Sequence, residues 1–146
     1  MKPVVTIAVV AFLQQPAAPP PAASGQPCSP STVVGTWQFV ERTAGPKPDL
    51  DGLTAYKHIT PSHFVVTRVT ADGVLQSAHG GPHAFSGGKF TETVEFHSDH
   101  PRYANVKRGS SIAFDCSIDG ERLQIAGTFS GQAFAERWRR VGAHSH

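Results

Sequence analysis

Two short segments, about a hundred residues apart, constrain the fold more than anything else in the chain. Gly35-Thr36-Trp37 opens a strand-like run, and a basic aromatic stretch that ends at Arg140 closes the last one. Small antiparallel β-barrels bring their first and last strands together, and an arginine can stack on the face of an indole. The two segments therefore predict a barrel whose closed end is covered by Trp37, with Arg140 as its partner by strand alternation.

The chain between these segments has the pattern of short strands separated by turns. It contains 14 glycines and 12 prolines, and no segment shows sustained helical periodicity. Eight strands are predicted, at residues 33–42, 54–60, 62–70, 74–79, 89–97, 110–118, 122–129 and 133–141. Residues 79–83 are expected to form a turn, and residues 98–108 a looser segment with room for a helical turn. Strands joined mostly by hairpins predict an all-β fold, a single antiparallel up-and-down barrel.

The N-terminal part of the chain is predicted to be separate from the barrel and to direct export of the protein. Lys2 precedes an uncharged apolar run at residues 4–13, which is too short to span a bilayer and suits a signal peptide. The alternative is an unstructured Pro/Ala-rich tail with an apolar start by chance. The predicted organisation is a signal peptide at 1–24, a Pro/Ser-rich leader at 25–32, a barrel at 33–142 and a disordered tail at 143–146. The mature protein would be periplasmic or extracellular, without a transmembrane segment, and its oligomeric state is left open.

The two cysteines allow two interpretations. An exported chain can pair them, and a bridge between Cys28 in the leader and Cys116 in a strand would attach the N-terminal arm to the barrel wall. Otherwise Cys116 is a buried thiol and Cys28 is free or removed. The sequence leaves both open.

Charge and histidine spacing argue against several classes of function. Charged residues make up 16% of the chain, the net charge is +2, and the chain has no basic stripe with interleaved aromatics, so nucleic-acid binding is not predicted. The eight histidines lack the spacing that presents two ligands to one ion. We predict neither a metal site nor a cofactor, although His58 is the one clear candidate for an inward haem ligand.

Period-two alternation places several polar side chains inside the predicted barrel. Such groups are costly there unless they are paired or contact a ligand. The predicted structural residues are Trp37, Glu136 and Arg140. The predicted ligand-binding residues are Tyr56, His58, Phe64, Val66, Arg68, Gln76, Phe90, Glu92, Phe114 and Ile125. The alternative is that the polar groups only satisfy each other, as the pairs Glu92–Arg68 and Glu136–Arg140.

A family resemblance is carried by motifs at residues 34–40, 57–64, 80–81, 88–92 and 136–140. In this order they resemble the bacterial lipocalin-like domain family, which is similar to lipocalins and fatty-acid-binding proteins, the calycin barrels. The resemblance implies a mostly non-enzymatic binder of a small, largely hydrophobic molecule. The chain departs from the family pattern at Val65-Val66 and at Pro82-His83, so the identity of the ligand does not carry over.

Two other functions compete with a binding protein. If His58 and Glu92 faced one cavity, they could act as an acid–base pair in an isomerase, cyclase or hydrolase. A filled barrel with an exposed apolar patch would instead favour an interaction module of the cell envelope.

Overall fold

The fold is a closed antiparallel β-barrel, as the sequence predicts. The structure is a computed structural model that describes residues 25–142, and within them no helix is long and apolar enough to cross a membrane. The elements in chain order are β1 (Gln26–Pro27), α1 (Pro30–Val33), β2 (Gly35–Ala44), β3 (Thr54–Ile59), β4 (His63–Val69), β5 (Leu75–Ser86), β6 (Lys89–Thr93), β7 (Phe96–His97), a 3-10 helix (Pro101–Tyr103), β8 (Ser111–Asp119), β9 (Arg122–Phe129) and β10 (Gln132–Arg140).

Eight of the strands close the barrel. Consecutive strands pair from β2 to β6, β6 pairs with β8, β8 with β9, and β9 with β10, which returns to β2. β1 extends the wall beside β8, and β7 pairs with β5 beyond the end of β6. Closure leaves these eight strands without a free edge, and an eight-stranded barrel has an interior wide enough for side chains or one small ligand.

The closed end of the barrel confirms the prediction for Trp37 and Arg140. The Trp37 side chain is fully buried, and its indole Nε1 donates a 2.8 Å hydrogen bond to the Val33 carbonyl. The Arg140 guanidinium lies 4.0 Å from the centre of the Trp37 ring and donates to the carbonyl oxygens of Thr32 and Val34, each at 2.9 Å. Glycine is favoured at position 35, because its φ of 143° is strained for other residues and a Cβ there would lie 2.5 Å from the Arg140 Nη1 atom.

The segment before β2, predicted as a Pro/Ser-rich leader, contains β1 and α1 and packs against the barrel wall. Cys28 forms a disulfide with Cys116 of β8, and their Cα atoms are 5.3 Å apart. Ser29 caps α1 through a capping box, which satisfies the free amides of this short helix. The predicted signal peptide at 1–24 and the tail at 143–146 lie outside the described residues.

The side chains of β3 point in the directions opposite to those predicted. Ala55, Lys57 and Ile59 point inward and are buried, whereas Tyr56 and His58 lie on the outer face. His58 packs there between two outer hydroxyls, 3.2 Å from Thr36 Oγ1 and 3.4 Å from Thr67 Oγ1. A slip of one residue exchanges the faces of a whole strand, and the prediction failed because it treated Lys57 as a solvent-facing residue.

β5 also differs from the prediction, because it runs unbroken through the expected turn at residues 79–83. Gly80 and Gly81 permit close packing inside this strand. A Cβ at Gly81 would overlap the carbonyl oxygen of Thr93, where the irregular link between β6 and β7 crosses the wall. Gln76 is the extra residue of an irregularity between β4 and β5, and it is exposed rather than inward.

The open end of the barrel is covered by the segment between β7 and β8. His100 caps the 3-10 helix through its side chain, and Pro101 occupies the first helical position, which fixes a single tight turn. This turn places Tyr103 inside the barrel mouth, where the residue is only 6% exposed. The helical turn expected within residues 98–108 is therefore confirmed.

Candidate functional site

The open half of the barrel contains a cavity of about 280 Å³. Its wall is mostly aliphatic and aromatic, and charged groups converge on it from several strands. The lining residues are Arg42, Lys57, Val66, Arg68, His79, Glu92, Val94, Arg102, Tyr103, Val106, Ile112, Phe114, Ile125, Phe129, Phe134, Glu136 and Trp138. A mostly apolar wall with a few convergent polar groups is the usual composition of a small-molecule site, and the volume lies near the lower end of the ~300–1,000 Å³ range of such sites.

The floor of the cavity is an ion pair between β3 and β6. Lys57 Nζ donates to Glu92 Oε1 at 2.6 Å, and both side chains are more than nine-tenths buried. The ammonium lies 5.3 Å from the ring centres of Phe114 and Trp138, which adds cation–π attraction. Burial raises the pKa of Glu92, and the adjacent Lys57 acts in the opposite direction. Two ionisable side chains are thus paired by a hydrogen bond inside an apolar region.

A second ion pair lies nearer the mouth, between β2 and β10. Arg42 Nη2 binds Glu136 Oε1, and the other carboxylate oxygen accepts a 3.1 Å hydrogen bond from Trp138 Nε1. Two register shifts between β2 and β10 turn Arg42 toward the interior. Both oxygens of Glu136 are thus already bound by protein groups.

A third polar group joins the barrel wall to the segment that covers the mouth. Arg68 Nη1 donates to the Tyr103 hydroxyl at 2.8 Å, and that hydroxyl lies 3.1 Å from His79 Nδ1. A guanidinium can only donate, so the hydroxyl accepts from Arg68 and has its own proton available for His79. Burial, and then the charges of Arg68 and Lys57, lower the pKa of His79 to about 3, which keeps the imidazole neutral at physiological pH.

Five of the ten predicted ligand-binding residues line the cavity. They are Val66, Arg68, Glu92, Phe114 and Ile125. Phe64 and Phe90 point inward but are fully buried in the core and do not line the cavity. Tyr56 and His58 face away from the cavity because they lie on the outer face of β3. Gln76 faces away because it is the extra residue in the irregular pairing of β4 with β5.

The alternative polar pairings predicted from the sequence are wrong. Glu92 pairs with Lys57 rather than Arg68, and Glu136 pairs with Arg42 rather than Arg140. The proposed acid–base pair is not formed either, because His58 lies outside the barrel wall and Glu92 inside it. Among residues 25–142, no group of three or more His, Cys, Asp or Glu side chains could hold a metal ion.

Sequence reasoning missed several residues of the site. The most important are Arg42, Lys57, His79, Arg102 and Tyr103. Tyr103 had a usable signal, since an isolated aromatic residue follows His100-Pro101 within an otherwise polar segment. Arg42 had none, because its direction depends on irregularities in the pairing of β2 with β10.

The fold and the site define an eight-stranded antiparallel β-barrel with a partly polar internal cavity. Residues 32–146 match the family described as "Domain of unknown function (DUF4488)", and the chain belongs to that family. No curated protein matches the sequence significantly.

Solved structures similar to this barrel come from two Bacteroides species, among other sources. An uncharacterized protein from Bacteroides eggerthii has 13% identity and a TM-score of 0.53, over 74% of this chain and 98% of that one. A lipocalin-like protein from Bacteroides uniformis has 15% identity and a TM-score of 0.46, over 74% of this chain and 97% of that one. The first of these shows a shared barrel fold and nothing about activity.

Proposed function

We propose that this protein binds one small, largely apolar molecule in the open half of its barrel. The observation that carries the proposal is the contrast between the two halves. The closed half is filled by large side chains such as Trp37, Phe64 and Phe90, which are fully buried, whereas the open half retains a cavity of about 280 Å³. Apolar walls around that volume would supply affinity by releasing water, and the few polar groups would orient the ligand.

Titration with a neutral, environment-sensitive dye, 1-aminoanthracene, tests this proposal. The wild-type protein should bind the dye saturably with increased fluorescence, and octan-1-ol should displace it. Val106→Trp fills part of the cavity from the covering segment and should weaken dye binding roughly tenfold, equivalent to about 1.4 kcal/mol of lost apolar contact.

Val40→Trp is the matched control, because Val40 is an apolar residue that is 51% exposed and does not line the cavity. Its dye affinity should equal that of the wild type. Absence of saturable binding to the wild type, or equal binding by both tryptophan variants, would contradict an internal site.

We also propose that the protein is exported to the periplasm or the extracellular space. The disulfide between Cys28 and Cys116 supports this, because structural disulfides persist in oxidising compartments. Mature protein isolated from its host should begin between residues 18 and 28, and reduction should increase its intact mass by two hydrogen atoms. A full-length chain recovered from the cytoplasm alone, with both thiols reduced, would contradict export.

A further inference from the structure

The charges around the cavity do not balance. Four basic side chains and two carboxylates line it, and both carboxylates are already bound. Glu92 is paired with Lys57, and Glu136 with Arg42. Among residues 25–142, Arg68 and Arg102 are the lining cations that form no ion pair. The cavity therefore carries an excess of positive charge that the described protein does not neutralise.

Arg68 is the better placed of these two cations. It extends from β4 into the cavity and donates from Nη1 to the Tyr103 hydroxyl at 2.8 Å. Its Nε atom is buried and has no acceptor among the described residues. A buried guanidinium that is bound only by a neutral hydroxyl keeps most of its desolvation cost, and buried donors without partners are rare in proteins.

The neighbouring groups are arranged to admit an anion at Arg68. The imidazole of His79 is neutral and adds no charge, while Arg102 lines the same cavity and also has a buried Nε atom with no acceptor. A guanidinium matches the two oxygens of a carboxylate, and such charge-assisted hydrogen bonds are roughly twice as strong as neutral ones.

We infer that the ligand carries a carboxylate, which Arg68 binds at the mouth of the cavity. The Tyr103 hydroxyl redirects its proton from His79 to this carboxylate, and Arg102 supplies a supporting charge. The apolar body of the ligand then lies against Phe114 and Ile125. This inference rests on the proposed function, since it names the chemical class of the molecule that the cavity holds.

Three ligands with the same eight-carbon body test the inference. Octanoate, octan-1-ol and octylamine are titrated into the wild-type protein at pH 7 by calorimetry. Octanoate should bind about 10- to 100-fold more tightly than octan-1-ol, the range expected for a hydrogen bond to a charged group. Octylamine should bind more weakly than octan-1-ol, because its ammonium meets an excess of like charge.

Arg68→Met should reduce the affinity for octanoate to that of the same variant for octan-1-ol, so that the preference for the carboxylate over the alcohol is lost. Tyr103→Phe should weaken octanoate severalfold, because it removes only the hydroxyl. Arg137→Met is the control, since Arg137 is an exposed arginine of the outer face that pairs with Glu41, and it should leave all affinities unchanged.

The two proposals fail in different ways. Equal affinity of the wild type for octanoate and octan-1-ol, with the dye still bound, would overturn the carboxylate site and leave the apolar site standing. If neither the alcohol nor the dye binds, the proposed function itself fails. If Arg68→Met does not fold, Arg102→Met removes a lining charge from the covering segment. It should weaken octanoate severalfold, and an unchanged affinity for octanoate would overturn the inference.

Discussion

Lys57 and Glu92 show at the scale of single residues why a barrel of this kind can hold charges in its interior. Each group would be expensive to bury alone, but the 2.6 Å contact and the aromatic rings around the ammonium stabilise both. Such a pair contributes little net stability compared with apolar residues of the same size, yet the loss of one partner leaves an uncompensated charge. The pair therefore forms the floor of the cavity, and the burial of each charged group depends on the presence of the other.

A double-mutant cycle tests this dependence. Lys57→Met and Glu92→Leu should each lower the free energy of unfolding by about 3–5 kcal/mol, whereas the double variant should lose much less than the sum. The cost of Lys57→Met should shrink as the pH falls, because the Glu92 carboxyl can then be buried in its neutral form. Urea unfolding of the four proteins measures these free energies.

The exposed pair Lys89–Asp115 provides the control for the cycle. Its side chains are 47% and 72% exposed, and exposed pairs contribute about 0–1 kcal/mol. Lys89→Met and Asp115→Leu should therefore have small effects. Additive losses at Lys57 and Glu92 would mean that the two charges are stabilised independently.

At the scale of the elements, the sequence predicted the strands better than their faces. The extents of β3, β4, β8 and β9 were predicted to within one residue at each end, because turn residues mark where strands end. The two-residue period then assigned Phe64 and Val66 of β4 correctly to the inner face, where both are buried. Where a strand begins and ends depends on residues close to it in sequence, so the positions of these strands could be predicted from the sequence.

The inward or outward direction of a side chain was predicted wrongly where that direction depends on a partner residue far along the chain. Lys57 turns inward to meet Glu92, which is 35 residues away in sequence, and no pattern within β3 reveals that partner. Gln76 and Arg42 were misplaced or missed because register shifts change the alternation midway along a pairing. Half of the ten predicted cavity residues line the cavity, and Tyr56, His58 and Gln76 fail because their side chains face the other way.

At the scale of the whole molecule, the barrel is divided into a packed half and a polar half. The closed half is stabilised by buried aromatic residues, by the stacked Arg140 and by the disulfide that joins residue 28 to β8. The open half buries ion pairs, a neutral histidine and unpaired guanidinium groups around a cavity. Binding sites commonly sacrifice stability in this way, so the open half should dominate the dependence of global stability on pH.

His79 makes that dependence testable. The pKa of its imidazole is about 3 in the folded protein and 6.5 ordinarily. Between these values the unfolded chain binds a proton that the folded protein does not, so the free energy of unfolding should fall as the pH falls from 6.5 toward 3. The full difference amounts to roughly 3–6 kcal/mol, and above about pH 7.5, where the unfolded histidine is also neutral, His79 should contribute no dependence on pH.

Comparison with His79→Gln isolates this contribution from that of other groups. Glu92 acts in the opposite sense, since its raised pKa favours the folded protein as the pH falls, but it is present in both proteins. The stability of the wild type minus that of His79→Gln, measured by urea unfolding between pH 4 and pH 9, should be constant above about pH 7.5 and should decline steadily below it. Parallel profiles over the whole range would show that His79 can take up a proton without cost, and that the mouth of the barrel is open to water rather than closed by Tyr103.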